Sequence, residues 1–252
     1  MELLFVACAS LLAGFVDAIV GGGGLVLVPA LFAAFASAHP ATLLGVNKSA
    51  SLWGTAVATV QYARRVHMPW RTLLPAGLVA LASSFAGAWV VTVVSPEFLR
   101  KVLPFVLLAV LAYTLIKKEL GREHAPRLRG WREAAVASAI GLVLGFYDGF
   151  FGPGAGSLLV FLFVRLLGYD FLHASASAKL LNSCSNLAAL SLFAFKGHIW
   201  WHYALALALA NVIGSLLGAR LALKHGSGFV RAVFVLVVSA LILRTAYDAF
   251  WR

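Results

Sequence analysis

The stretch Gly14-Phe15-Val16-Asp17-Ala18-Ile19-Val20-Gly21-Gly22-Gly23-Gly24-Leu25-Val26-Leu27-Val28-Pro29 decides how the chain is read. It sets a carboxylate and four consecutive glycines inside an apolar run. There a charge loses its hydration and glycine weakens a helix. The pattern returns at Gly145-Phe146-Tyr147-Asp148-Gly149-Phe150-Phe151-Gly152-Pro153-Gly154-Ala155-Gly156-Ser157, with the two aspartates 131 residues apart. At the same offset Lys48 falls on Lys179, His67 on His198, Trp70 on Trp201, Ser84 on Ser215 and Gly87 on Gly218. One extra residue near Ala155 is the only slip. The offset predicts a duplicated chain, with residues 1–116 as the first repeat, 117–132 as a basic loop and 133–252 as the second repeat.

Composition gives the solvent of this fold. The chain has 252 residues, of which 62% are hydrophobic and 12% charged. A soluble domain is about 25% charged. Runs such as 75–94, 102–116 and 203–223 approach or reach the roughly 20 residues that cross a bilayer. The expected class is therefore all-α, a polytopic integral membrane protein with the lipid bilayer as its main partner. The net charge of +11 comes partly from Lys117, Lys118, Arg122, Arg127, Arg129 and Arg132, which crowd one short loop between apolar runs. Such loops stay on the cytoplasmic side and face anionic lipid, so the charge calls for no nucleic acid. Cys8 and Cys184 lie in apolar runs and read as small core residues. Neither a metal nor a cofactor is expected. Met1-Glu2 brings no basic residue, so the first apolar run is expected to stay in the mature protein rather than act as a signal peptide.

Residues 3–20 and 25–38 are too long together for one crossing and too short for two, so they read as a broken or re-entrant pair. Crossings follow at 43–63, 70–94 and 98–116, the last two separated by a turn at Ser95-Pro96-Glu97. The second half repeats the plan, with 134–151, a short run at 158–167, then 174–195, 200–223 and 229–247. Duplicated carriers come as parallel or inverted repeats. Inverted halves place fewer basic residues outside, while Arg244 and Arg252 argue mildly for parallel ones.

Asp17, Lys48, Asp148 and Lys179 are the clearest charges within apolar runs. Charge costs several kcal/mol or more in a bilayer, so such groups face a cavity or a partner. A purely structural role would make Asp17–Lys48 and Asp148–Lys179 two buried ion pairs. Their neighbours favour a binding site. Lys48, Ser51 and Thr55 share one helical face, as do Lys179, Asn182 and Asn186. A cation backed by hydroxyl and amide donors suits an oxyanion. Asn47, Ser49, Ser183 and Ser185 fall on other faces. Backbone at Gly22, Gly23 and Gly24, and at Gly154, Gly156 and Ser157, precedes a short helix whose N-terminus attracts anions. Small-residue packing accounts for the same glycines equally well. Asp17 and Asp148 are the candidates for proton coupling, since burial and a lysine act on a carboxylate in opposite directions. The same residues would serve a uniporter or an anion channel. His67 and His198, near Trp70, Trp200 and Trp201, read as interfacial anchors. No HExxH, Cys/His cluster or Ser-His arrangement lies in the apolar runs, so the chain is not expected to be an enzyme. A scaffold would not need buried charge.

These motifs carry a resemblance. Gly14-Phe15 through Pro29 and Gly145-Phe146 through Gly156 resemble the TauE/SafE sulfite exporter family. So do Leu44-Gly45-Val46-Asn47-Lys48-Ser49 and Gly214 through Leu217-Gly218-Ala219-Arg220. In the second half Pro153 and Ala155 interrupt the glycines. The resemblance implies a bacterial inner-membrane carrier with a duplicated helical unit. It further implies a small anionic substrate such as sulfite or an organosulfonate, moved with the proton gradient. The family includes importers and exporters, so direction stays open.

Overall fold

The computed structural model describes residues 2–35, 37–92 and 123–250. The expected crossing at 98–116, the turn before it, and Lys117, Lys118 and Arg122 of the basic loop lie outside these residues. Among the described residues the elements are α1 (Glu2–Val20), α2 (Gly24–Ala34), α3 (Pro40–Ala63), α4 (Trp70–Val91), α5 (Trp131–Phe150), α6 (Ala155–Leu162), α7 (Phe171–Phe195) and α8 (Trp201–Phe250). No strand occurs among them. A π-helical turn, Phe163–Leu167, extends α6. The crossings expected at 200–223 and 229–247 form one helical run, bent at Gly226, whose φ of 73° is not helical. α3 and α7 each start three residues earlier than expected. His39 and Asp170 cap them, accepting hydrogen bonds from the backbone N–H of Ala41 and His173, which an apolar-run boundary misses.

Among the described residues four helices are long and apolar enough to cross a membrane: Glu2–Val20, Trp70–Val91, Trp131–Phe150 and Trp201–Val237. Their outer faces keep large apolar side chains exposed, such as Leu4, Leu78, Val143 and Leu209. On a water-facing protein that would be a patch needing cover; here lipid covers it. α3 and α7 are more polar but 24 and 25 residues long, about 36 Å at the helical rise. They occupy the centre, where Lys48, Asn47, Lys179 and Asn186 are buried.

Small residues set the packing. α1 lies along α8, where a Cβ on Gly14 would fall 2.1 Å from the Asn211 carbonyl oxygen. α4 lies along α5 in the same manner, with Gly87 against the Phe146 carbonyl. Polar side chains stitch these contacts: Asn211 Nδ2 donates to the Ser10 carbonyl at 3.1 Å and Ser215 Oγ to that of Gly14 at 3.2 Å. Ser84 Oγ donates to the Ser185 carbonyl at 2.8 Å. α3 and α7 cross antiparallel, with Gly45 against His198 at one end and Thr59 hydrogen-bonded to Ser183 farther along.

Candidate substrate and proton site

The two helix breaks cross near the middle of the bundle. Gly21 has φ 80°, and a Cβ on it would lie 2.3 Å from the Gly156 carbonyl carbon. A Cβ on Gly156 would lie 2.5 Å from the Gly21 carbonyl oxygen. Backbone therefore touches backbone, which only side-chain-free residues permit. Ser157 Oγ donates to the Val20 carbonyl at 3.1 Å and Ser175 Oγ to that of Ile19 at 2.8 Å. These bonds take up carbonyls that the end of α1 leaves without intrahelical partners.

Because the breaks cross, each lysine reaches the other half. Lys48 Nζ lies 2.7 Å from Asp148 Oδ1, and Lys179 Nζ lies 3.0 Å from Asp17 Oδ2. This corrects the expected pairing of Asp17 with Lys48 and of Asp148 with Lys179. The physical reason is the packing of α3 against the second break: the position a Cβ would take on Gly152 is 3.2 Å from Lys48 Nζ. The four residues are 7% exposed or less. Their charges cancel, which is how buried ions persist in a low-dielectric interior.

The two pairs differ in their surroundings. Lys48 also donates to Asn186 Oδ1 at 3.1 Å, Asn186 Nδ2 to Asn182 Oδ1 at 3.4 Å, and Ser185 Oγ to Asp148 Oδ2. Asp17 accepts from the Gly23 backbone N–H at 3.3 Å as well as from Lys179. A cavity of about 20 Å³ opens beside the first pair. Lys48, Asp148, Asp17, Asn47, Ser51, Asn182 and Asn186 line it, with backbone at Gly21, Gly24, Gly152, Gly154 and Gly156. It has room for about one water.

Of the expected site residues, Lys48, Ser51, Asn182, Asn186, Gly24, Gly154, Gly156, Asp17 and Asp148 therefore converge. Lys179 is 0% exposed and does not line the cavity. Thr55 bonds the Ser51 and Leu52 carbonyls of its own helix. Gly22 faces Val16 and Val237, Gly23 packs on Asp17, and Ser157 bonds Val20. Asn47, Gly21 and Gly152 also line the cavity, and Ser185 bonds Asp148; Asn47 and Ser185 were expected on other faces of their helices. Asn47 is 3% exposed, and its Oδ1 has no hydrogen-bond partner.

The sealed pair makes a stability prediction. Lys179→Ala leaves Asp17 charged and buried, and is expected to cost about 3–5 kcal/mol. The double variant Asp17→Asn/Lys179→Met is expected to recover most of that loss. Thermal unfolding in detergent measures both, and a Lys179→Ala protein as stable as wild type would contradict the assignment.

Residues 6–245 match the family model "Sulfite exporter TauE/SafE". The chain belongs to that family. It is 36% identical to "Probable membrane transporter protein ORF9" of Sinorhizobium, covering 98% of this chain and 93% of the relative. It is 37% identical to "Probable membrane transporter protein YfcA" of Escherichia coli K12, covering 98% and 89%. A "Probable membrane transporter protein" of Haemophilus influenzae is 32% identical over 100% of this chain and 96% of its own length. No solved structure matches. Family, relatives and apolar helices agree on a multi-pass membrane transporter of the TauE/SafE family.

Proposed function

We propose that this TauE/SafE member is a proton-coupled carrier of small oxyanions, sulfite or organosulfonates, in the bacterial inner membrane. The observation that carries the reading is the Lys48–Asp148 pair on the cavity wall, beside Asn47, whose Oδ1 has no hydrogen-bond partner among the described residues. An oxyanion takes the place of the Asp148 carboxylate at Lys48, with Ser51, Asn182 and Asn186 supplying hydroxyl and amide donors. The Asn47 amide, turned over, presents its N–H groups to the same anion. Helix N-termini at the breaks add a favourable dipole.

Charge balance supplies the coupling. The two buried pairs sum to zero, so a monoanion entering alone adds one uncompensated charge in a medium of low dielectric. Asp148, displaced from Lys48, is left as a buried carboxylate without its cation. Taking up a proton there restores neutrality, and anion and proton cross together. Asp17, held by Lys179 and by the Gly23 N–H, serves as the fixed clasp. A cavity with room for about one water must widen to admit a four-atom anion, and the crossed glycine breaks are the place where backbone can give.

We further assign the halves as inverted repeats, residues 1–116 and 133–252, joined by a cytoplasmic basic loop at 117–132. The antiparallel crossing of α3 and α7, and the exchange of Asp/Lys partners at the 131-residue offset, support this.

Asn47→Ala separates this reading from a structural one. Its Oδ1 makes no hydrogen bond, so removal is expected to leave stability unchanged or raise it by about 1 kcal/mol. Sulfite uptake into proteoliposomes is expected to need about tenfold more substrate to half-saturate, the loss of about one hydrogen bond to a charged group. Unchanged half-saturation would sink the role given to Asn47.

A further inference from the structure

At the end of the molecule that carries His67, segment 123–130 returns to α5 across the turn between α6 and α7. Two backbone hydrogen bonds fasten this strap: Ala125 N–H donates to the Gly168 carbonyl at 3.0 Å, and Arg127 N–H to that of Leu167 at 2.9 Å. Gly168 has φ 79°, and a Cβ there would lie 2.3 Å from the Ala125 carbonyl oxygen. Glycine is what lets the strap lie flush. His124 is thereby held against two rings, with centroids 5.1 Å from Tyr169 and 3.9 Å from His173.

Asp170 caps α7, accepting from the His173 backbone N–H at 2.7 Å, and its carboxylate lies 2.9 Å from His173 Nδ1. One ligand atom each from His124, Asp170 and His173 lies within 4.8 Å of the other two. None of the three lines the central cavity. They are separated in the chain by up to 49 residues, so the expectation of no metal rested on a spacing that shows no cluster.

We propose that His124, Asp170 and His173 form a site for a divalent transition ion of the zinc and nickel class, tying the strap to the start of α7. Three atoms within 4.8 Å of one another share a point at most about 2.8 Å from each. Closing to the roughly 2.0–2.2 Å of zinc–nitrogen and zinc–oxygen bonds takes side-chain shifts of under about 1 Å. Two imidazoles and one carboxylate are a borderline donor set that holds zinc, nickel or cobalt and is poor for magnesium or calcium. His124 is exposed and gives the ion a way in, with water filling the remaining positions.

Glu133, which accepts from the Tyr169 hydroxyl and from Thr72 at 3.3 Å, adds negative charge nearby. It offsets Arg127, whose guanidinium donates to the Arg165 carbonyl.

The test uses tag-free, full-length protein in detergent, with Zn²⁺ as the probe, read by equilibrium dialysis and by thermal unfolding. Wild type is expected to bind one Zn²⁺ per chain and to unfold at a higher temperature with it. His124→Ala and Asp170→Asn are each expected to weaken binding about tenfold or more and to lose the thermal shift. Asparagine keeps the helix cap, and His124 lies outside any helix, so both variants should fold. Absence of saturable binding to wild type, or wild-type binding by either variant, overturns the proposal.

Discussion

Lys48→Ala is expected to abolish transport and to destabilise the protein by about 3–5 kcal/mol, the cost of leaving one member of a buried pair unpaired. Asp148 would lose its cation and keep the Ser185 hydroxyl as its hydrogen-bond partner among the described residues, and Asn186 Oδ1 would lose its donor. A single variant confounds the two effects, so the double variant decides between them. In Lys48→Met/Asp148→Asn no buried charge is orphaned, and stability is expected to return to within about 1–2 kcal/mol of wild type. Transport is not expected to return, because neither the anion's cation nor the proton's acceptor remains. Unfolding in detergent and uptake into liposomes, run on the same preparations, check both halves. A stable double variant that transports like wild type would reduce the pair to a packing device.

Gly21→Ala is expected to be the most damaging methyl group that can be added at the breaks. Its Cβ would stand 2.3 Å from the Gly156 carbonyl carbon, with backbone on both sides and no flexible side chain to yield. The residue also sits at φ 80°, where an L-residue carries about 1–2 kcal/mol of strain. Overpacking adds about 1–3 kcal/mol, so a total loss of about 2–5 kcal/mol follows. Gly197→Ala isolates the strain, since Gly197 has φ 73° and nothing within 4 Å of its Cβ position. It is expected to cost about 1–2 kcal/mol. Equal unfolding temperatures for the two variants would show that the breaks do not press on each other.

Much of the site was readable before any fold, and for a simple reason. Charge and consecutive glycine are so costly in apolar runs that Asp17, Lys48, Asp148, Lys179 and the breaks stand out at once. Helical spacing then put Ser51 on the face of Lys48, and Asn182 and Asn186 on that of Lys179. Spacing along one helix says which residues share a face, but not which neighbour that face meets. Hence Lys48 was matched with Asp17 of its own repeat, when the crossing of the breaks hands it Asp148. Hence also Asn186 was grouped with Lys179 although it accepts from Lys48 across α3 and α7. Asn47 was set aside as off the binding face, yet the cavity wall spans more of α3 than one stripe. Thr55 shares the stripe with Lys48 but turns its hydroxyl back on its own helix, a local option open to threonine anywhere in a helix. The strap with His124 was hidden because its partners lie beyond any local spacing.

The central claim is that Asp148 exchanges Lys48 for a proton as the anion binds. It is tested most directly by sulfite uptake into proteoliposomes under an imposed pH gradient, comparing wild type with Asp148→Asn. The account predicts that wild type accumulates sulfite above its external concentration, while the variant at most equilibrates and ignores the gradient. Gradient-driven accumulation by a folded Asp148→Asn protein would contradict it.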